Sequence, residues 1–169
     1  LDGAEAQLRE RLGSAVYGVD GVTLQEAVVS MLRERGETLV CAESCTGGGL
    51  GAAITEAPGS SDMFLGGFIT YSNELKQRLL GVPEVTLQRL GAVSEECARA
   101  MAIGAREATD ATWALSITGI AGPTGGTDEK PVGLVFIGIA GPTGVDVHRH
   151  RFLGEREDVR RRSRQAALI

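Results

Sequence analysis

The sequence predicts a three-layer α/β/α domain with a mixed β-sheet, on two observations. Short apolar segments suited to strands alternate along the chain with longer segments whose apolar residues recur at helical spacing, which favours parallel strands joined by helices. The last two strand-like segments, 134–140 and 145–152, instead flank the turn sequence "GPTG" with no helix between them. That arrangement is typical of an antiparallel hairpin, so the sheet is expected to be mixed.

The amino-terminal part of the chain predicts two helices. Residues 2–13 have apolar positions at helical spacing, and Gly13 is expected to end that helix. In "TLQE", Thr23 and Glu26 have the spacing of a capping box, in which each side chain accepts a hydrogen bond from the backbone of the other residue. The second helix therefore begins after Thr23, and Gly36 suits the left-handed position that ends it.

Two strand–helix units are predicted next. Residues 38–42 ("TLVCA") form a short buried strand, and the small residues of segment 48–57 indicate a helix packed closely on the sheet. Residues 63–71 form a second strand. The helix after it is expected to be capped by Asn73 and ended by Gly81.

The carboxyl-terminal half predicts a long helix, a strand, the hairpin and a final helix. Ser94 is the expected N-cap of the long helix, and residues 111–122 form a third strand that runs into a glycine-rich loop. The chain is expected to be helical again from Glu155 onward. The order of the strands in the sheet does not follow from these patterns.

Composition restricts the class of protein. The 169 residues suit one domain with a core, and the net charge of -5 without a long basic stripe argues against a nucleic-acid partner. No apolar run approaches the roughly 20 residues that a membrane span needs. We expect a cytoplasmic protein whose three cysteines are free thiols, and the arginine-rich segment 160–164 is interpreted as a solvated helix face.

The segment 41–50, "CAESCTGGGL", allows three interpretations. A Walker-type phosphate loop needs a lysine after its last glycine, but Leu50 stands there. A structural zinc site needs four ligands, and Cys41 and Cys45 have no second pair, so Cys45 is expected to be a small packing residue and no metal is expected. The third interpretation is a strand-to-helix turn that presents Ser44 as a nucleophile at the carboxyl end of the sheet.

Ser44 would need a base and donors for a developing oxyanion. In "TYSNELK", Tyr71 ends a strand and Lys76 lies in the first turn of the next helix, so both are expected to face one pocket. Partial burial and the positive end of the helix dipole would favour a neutral Lys76 that can take a proton, assisted by Tyr71. Backbone N–H groups near Gly47 and Gly48 are the expected oxyanion donors. Two alternatives stay open: Ser44 is only a helix cap, and Lys76 is only a solvated lysine.

Six motifs occur in the order and spacing of one known family: "AESCTGG", "GSS", "TYSNELK", "GAVSEE", "TGIAGPTGGTDEKPVG" and "FLGEREDVR". Through them, residues 22–169 closely resemble the CinA C-terminal domain family, whose active members are nicotinamide mononucleotide deamidases. Residues 1–21 resemble the segment that precedes this domain in longer CinA proteins. They are expected to be a linker or helical extension from an amino-terminal domain.

The resemblance implies hydrolysis of the carboxamide of nicotinamide mononucleotide to nicotinate mononucleotide and ammonia, with no metal or other cofactor. It carries the nucleophile onto Ser44 and its supporting pair onto Tyr71 and Lys76. We also expect a homo-oligomer with no membrane or nucleic-acid partner. The substrate contacts that the resemblance implies are Thr46, Gly47, Gly48, Gly59, Ser61, Thr118, Gly119, Ile120, Ala121 and Arg156.

Two functions follow from these residues. The first is an amidohydrolase of pyridine nucleotide salvage that uses Ser44 as its nucleophile. The second is a nucleotide-binding or regulatory module of a competence-damage-inducible protein, with weak or no catalysis. A binding module has no need of Ser44, Tyr71 and Lys76 together, so the enzyme is the favoured hypothesis.

Overall fold

The structure of the protein is a computed structural model that describes residues 3, 7, 10–13 and 16–169. The helix expected over 2–13 therefore falls largely outside the described residues. The elements of the rest of the chain are α1 (Leu24–Arg35), β1 (Leu39–Glu43), α2 (Gly49–Thr55), a 3₁₀ turn (Ser60–Asp62), β2 (Phe64–Ile69), α3 (Asn73–Leu80), α4 (Glu84–Arg89), α5 (Glu95–Thr109), β3 (Trp113–Gly119), β4 (Leu134–Gly141), β5 (Gly144–Arg151) and α6 (Arg156–Ala167).

The five described strands form one sheet in the order β2-β1-β3-β4-β5. Strand β1 pairs in parallel with β2 on one side and with β3 on the other. Strands β4 and β5 continue the sheet as an antiparallel hairpin. The mixed sheet with a terminal hairpin is confirmed. Its parallel half brings the carboxyl ends of β1, β2 and β3 to one edge.

The helices cover both faces of the sheet, which confirms three layers. Leu39 and Cys41 of β1 pack in an apolar cluster with residues of α1, α2 and α6. Val40 and Ala42 alternate with them and pack with residues of α3, α4 and α5. Because successive side chains of a strand point to opposite faces, β1 contributes to both halves of the core. All five of its residues are buried.

The helix caps agree with the sequence at most positions. The capping box of α1 is present, with the Thr23 N–H donating to the Glu26 carboxylate at 2.8 Å. Gly36 and Gly81 have the left-handed conformation expected of them. The prediction of Asn73 as the cap of α3 is wrong: Ser72 is extended and its Oγ accepts the N–H of Leu75 at 3.2 Å. Asn73 is already the first helical residue, so its side chain cannot act as the cap.

Candidate active site

The strand β1 ends at the residue before Ser44 and fixes the direction of its side chain. The Ser44 N–H donates to the Ile117 carbonyl of β3 at 2.9 Å, so the backbone stays paired one residue beyond the strand. The alternation of β1 sends Glu43 to the side of the sheet that α2 covers and Ser44 to the side that α3 covers. Ser44 lies at the carboxyl end of the sheet, as the sequence predicts, and it is buried there.

Lys76 of α3 reaches Ser44 from the adjacent helix. Its Nζ lies 3.0 Å from the Ser44 Oγ and donates to the Thr70 carbonyl at 2.7 Å and to the Tyr71 carbonyl at 3.3 Å. Only 1% of the lysine is exposed, and no ion pair between described residues includes it. The alternative of a solvated lysine is therefore wrong.

The surroundings of Lys76 make its neutral form easier to reach than that of an exposed lysine. Burial lowers the pKa of Lys76 below the ordinary value, although nearby Cys97 and Cys45 oppose this shift. A neutral amine has two N–H bonds and one lone pair. The two N–H bonds match the carbonyl groups of Thr70 and Tyr71, which leaves the lone pair for the hydroxyl proton of Ser44. The side chain is thus placed to act as a base toward Ser44.

Ser44 does not cap the helix that follows it. The N-cap of α2 is Gly48, in the left-handed conformation and without a side-chain hydrogen bond. The carboxylate of Glu43 instead accepts the N–H groups at this helix end, from Gly48 at 3.1 Å, Leu50 at 3.0 Å and Gly51 at 2.8 Å. The helix-cap interpretation of Ser44 is therefore wrong, and Glu43 is a site residue that the sequence analysis missed.

The prediction that backbone N–H groups near Gly47 and Gly48 bind an oxyanion is wrong. The Gly47 N–H donates to the Ser44 carbonyl at 3.1 Å and the Gly48 N–H to Glu43, so neither is free to bind an oxyanion. Directly after Ser44, neither the Cys45 N–H nor the Thr46 N–H donates to another residue in the described part of the chain, although the Cys45 N–H contacts its own thiol. They are the backbone donors nearest in sequence to the serine that are available for a ligand oxygen.

Two threonine hydroxyls of the site are buried without a partner in the described part of the chain. They are the Oγ1 atoms of Thr46, in the turn after Ser44, and of Thr70, whose carbonyl accepts from Lys76. Both residues are fully buried. Buried hydroxyl groups normally find a hydrogen-bond partner, so these two atoms can accept or donate to a water or a ligand at the site.

Tyr71 and Arg156 lie together at the same edge of the sheet. Tyr71 is 62% exposed, and its hydroxyl accepts from the Arg156 Nη2 at 3.5 Å. The Arg156 Nη1 donates to the Gly122 carbonyl at 2.8 Å, beyond the end of β3. Among the described residues, the Tyr71 hydroxyl makes no hydrogen bond to Ser44 or Lys76. Its backbone carbonyl, rather than its phenol, contacts the lysine.

The segment from Thr118 to Ala121 reaches this edge as well, because β3 ends at Gly119 beside β1. The Thr118 side chain is buried, and its hydroxyl donates to the Ala92 carbonyl at 2.7 Å. The Ile120 N–H donates to the Leu134 carbonyl. These hydrogen bonds hold the loop in place. A substrate would therefore contact the backbone groups of the segment that do not take part in them.

Gly59 and Ser61 lie at the opposite end of the sheet. They precede β2, whose first residue pairs with Leu39 at the start of β1. The five residues of β1 separate that end from Ser44 by about 17 Å at the usual rise per residue. Within one chain, neither residue lies at the edge of the sheet that holds Ser44, and we leave both out of the proposed site.

Helix α6 places two further arginines against the turn after Ser44. The Arg160 Nη2 donates to the Thr46 carbonyl at 3.0 Å. A Cβ atom added at Gly49 would lie 2.8 Å from the Arg164 Cδ. The interpretation of 160–164 as a solvated face is therefore wrong for Arg160 and Arg164, because both pack on the turn. Their spacing of four residues is the sequence signal for a shared helix face.

The three cysteines are free and buried, as expected. Burial raises the pKa of Cys45 to about 11 and that of Cys97 to about 11, and burial together with Glu43 raises the pKa of Cys41. The thiols stay protonated at neutral pH and are poor nucleophiles, although Cys45 is next to Ser44. Cys45 belongs to the apolar cluster, which confirms its packing role.

The described residues hold no group of three or more His, Cys, Asp or Glu side chains arranged to bind a metal ion. In the same part of the chain, no helix combines the length and the apolar character that crossing a membrane requires.

Comparison with known proteins gives relatives over most of the chain. A CinA-like protein of Synechococcus sp. (strain CC9311) is 57% identical over 137 residues, which cover 81% of this chain and 32% of the relative. A CinA-like protein of Thermotoga maritima is 46% identical over 168 residues, 99% of this chain and 41% of the relative. The chain spans between 32% and 41% of the length of such curated relatives.

Solved structures share the fold. The competence/damage inducible protein CihA from Agrobacterium tumefaciens superposes with a TM-score of 0.84 at 41% identity, over 86% of this chain and 89% of the other. A CinA superfamily protein from Escherichia coli gives a TM-score of 0.80 at 33% identity, over 93% and 94% of the two chains. The family model of the CinA C-terminal domain matches residues 22–169 of the sequence. This range contains the sheet, its helices and the serine–lysine pair. The chain belongs to the CinA C-terminal domain family.

Proposed function

We propose that the protein is an amidohydrolase that converts nicotinamide mononucleotide to nicotinate mononucleotide and ammonia through Ser44. The observation that carries this proposal is the 3.0 Å contact between the Ser44 Oγ and the Nζ of a lysine that is 1% exposed. A serine hydroxyl is a weak nucleophile, and a buried amine without a carboxylate partner is a base that can activate it. The choice of substrate comes from the resemblance to the family.

In the first step, Lys76 takes the hydroxyl proton of Ser44 as the Oγ forms a bond to the carboxamide carbon. The electron pair of the C=O bond moves to the oxygen, which the N–H groups of Cys45 and Thr46 would stabilise. The tetrahedral intermediate then loses its C–N bond. The leaving nitrogen takes the proton from Lys76 and departs as ammonia, and Ser44 is left as an ester of the nicotinate ring.

In the second step, water restores the enzyme. Lys76 takes a proton from the water molecule as its oxygen attacks the ester carbon. The bond between that carbon and the Ser44 Oγ breaks, and the serine takes the proton back from Lys76. The sum of both steps is one amide and one water converted to one carboxylic acid and one ammonia, so no oxidant, reductant or cofactor is required.

The direct test is the release of ammonia from nicotinamide mononucleotide by the purified protein, with and without a chelator. Formation of nicotinate mononucleotide in equal amount, at the same rate in both arms, is the expected result. Loss of activity in the chelator arm and its recovery with a divalent ion would contradict the metal-independent mechanism. Absence of product from a folded protein would contradict the amidohydrolase itself.

Arg156 is proposed to bind the phosphate of the substrate. It is exposed beside Tyr71 at the edge that holds Ser44, and its guanidinium has five N–H donors, of which Gly122 and Tyr71 use two. We expect Arg156→Ala to raise KM by about tenfold or more and to change kcat less, because the contact exists in both the bound substrate and the transition state. Steady-state kinetics would show this split.

The matched control is Arg162→Ala on the same helix, because Arg162 makes no hydrogen bond or ion pair with another described residue. Its KM should equal that of the parent. If Arg156→Ala also had the KM of the parent, the phosphate would bind elsewhere.

The rate should depend on pH through Lys76. The base must be unprotonated, and burial lowers the pKa of Lys76, so the active form is populated at lower pH than for an ordinary lysine. We expect kcat/KM to rise with pH and to reach half of its maximum below about 10.4, the ordinary lysine pKa. A kcat/KM that falls from about pH 6 to about pH 9 would contradict Lys76 as the base.

A nucleotide-binding or regulatory module is the second candidate. The names of the solved relatives refer to competence and damage induction and state no reaction. This candidate gains support if nicotinamide mononucleotide binds to the protein, as calorimetry would measure, while ammonia is not released.

A further inference from the structure

Glu43 is a buried carboxylate without a cationic partner in the described part of the chain. Only 1% of it is exposed, and none of the ion pairs between described residues includes it. Burying a charge is costly unless hydrogen bonds compensate it. The compensating donors are the N–H groups of Gly48, Leu50 and Gly51 and, at 3.6 Å, the Cys41 thiol.

These hydrogen bonds close a turn around the proposed nucleophile. Glu43 is the last residue of β1, and the Gly48 N–H that it binds lies on the far side of the segment Ser44–Thr46. The strand β3 holds the start of that turn through the Ser44 N–H, and Arg160 holds its middle through the Thr46 carbonyl. The Glu43 carboxylate fixes the end of the turn, together with the Gly49 N–H, which donates to the Thr46 carbonyl at 3.2 Å.

We infer that Glu43 is a positioning residue for the reaction at Ser44, an inference that rests on the proposed function. The residue does not touch the substrate. It holds the backbone of the turn so that the Ser44 Oγ stays at Lys76 and the N–H groups of Cys45 and Thr46 stay next to Ser44 in the chain. By binding the N–H groups at the start of α2, it also directs any oxyanion to Cys45 and Thr46.

The test replaces Glu43 by its neutral isostere, Glu43→Gln. The amide nitrogen of glutamine carries donors where the carboxylate accepts, so one of the backbone N–H groups loses its acceptor and the turn shifts. We expect kcat to fall by about 10-fold to 100-fold, because small displacements of reacting groups have effects of this size. KM should stay within about threefold of the parent value, since the phosphate contact is unchanged.

A second measurement distinguishes a positioning role of Glu43 from a purely structural role. A fluorophosphonate that modifies serine nucleophiles should label Ser44 of the parent, and it should label Glu43→Gln more slowly by a factor similar to the loss of kcat. Glu26→Gln is the matched control, because Glu26 also binds a backbone N–H at a helix start, on α1. This control is expected to lower the melting temperature and to keep the kcat and labelling rate of the parent.

The outcomes are distinct. A folded Glu43→Gln protein with a lower melting temperature but with the kcat and labelling rate of the parent would overturn the inference and make Glu43 a helix cap only. If Glu43→Gln does not fold, Glu43→Asp takes its place, since the shorter carboxylate cannot hold the turn in the same position. A folded Glu43→Asp protein with parent kcat would overturn the inference equally. Failure of the proposed function appears in the parent instead, as labelling of Ser44 without release of ammonia.

Discussion

Replacing Ser44 by alanine is expected to lower kcat for ammonia release by about 10³-fold or more, since the variant has no atom that can form the ester. The fold should persist. The hydroxyl is small, and Lys76 keeps its two carbonyl acceptors from Thr70 and Tyr71. The free energy of unfolding is expected to change by about 1 kcal/mol, the usual contribution of one hydrogen bond. Affinity for nicotinamide mononucleotide, measured by calorimetry, should stay close to that of the parent.

Ser163→Ala provides the matched control for this experiment. Ser163 is another buried serine, and its hydroxyl donates to the Val159 carbonyl within α6. We expect this variant to lose a similar amount of stability and to keep the kcat of the parent. A folded Ser44→Ala protein that releases ammonia at the parent rate would exclude the nucleophile, and direct attack by water on the amide would replace the ester mechanism.

Lys76→Met is expected to lower kcat as severely as Ser44→Ala, because methionine fills the same space without a basic atom. The double variant should be little worse than either single variant, since residues that act as a unit are strongly non-additive. The variant Lys76→Arg tests whether the reaction needs a base or only a positive charge at this position. Arginine is positively charged but does not give up its proton, so this variant should be as inactive as Lys76→Met. A Lys76→Arg protein with parent activity would contradict the proton transfer.

The burial of Lys76 also predicts how the stability of the protein depends on pH. The folded protein has a lowered Lys76 pKa, so the unfolded chain binds this proton more tightly. Lys76 therefore lowers the free energy of unfolding at pH values below its pKa in the folded protein. This loss becomes smaller as the pH rises from that pKa toward about 10.4, the pKa of a lysine in the unfolded chain. Relative to Lys76→Met, the unfolding free energy of the parent should increase over that window, as denaturant titrations at several pH values would measure.

The fold class followed from the sequence because local patterns determine most of its elements. Alternation, turn residues and the Thr23–Glu26 capping box act over a few positions, and the structure has them where they were expected. The strand order needed more, because parallel pairing of β1 with both β2 and β3 depends on contacts between distant segments. The N-cap of α3 is Ser72 and not Asn73. Serine and asparagine are both favoured N-caps, so the residue types alone do not distinguish the two positions.

The candidate site was predictable in part for the same reason. Ser44 and Lys76 each end or begin an element at the carboxyl edge of a parallel sheet, and that rule brought them together. Gly59 and Ser61 were expected there only because the resemblance to the family implies it, and no local pattern in the sequence indicates which end of the strand their loop occupies. Glu43 went unnoticed because an acidic residue at the end of a strand gives no sign that its side chain turns toward the next helix.

The opposite directions of Glu43 and Ser44 also restrict how the gene can vary in length. Inserting or deleting one residue within β1 would exchange the faces, bringing a carboxylate to Lys76 and a serine to the start of α2. A change of two residues would restore the faces but would displace the turn by about 7 Å. The loop 142–143 between β4 and β5 is exposed, lies outside both strands and has no such restriction. Insertions and deletions among homologues are therefore expected in that loop and not in the five codons of β1.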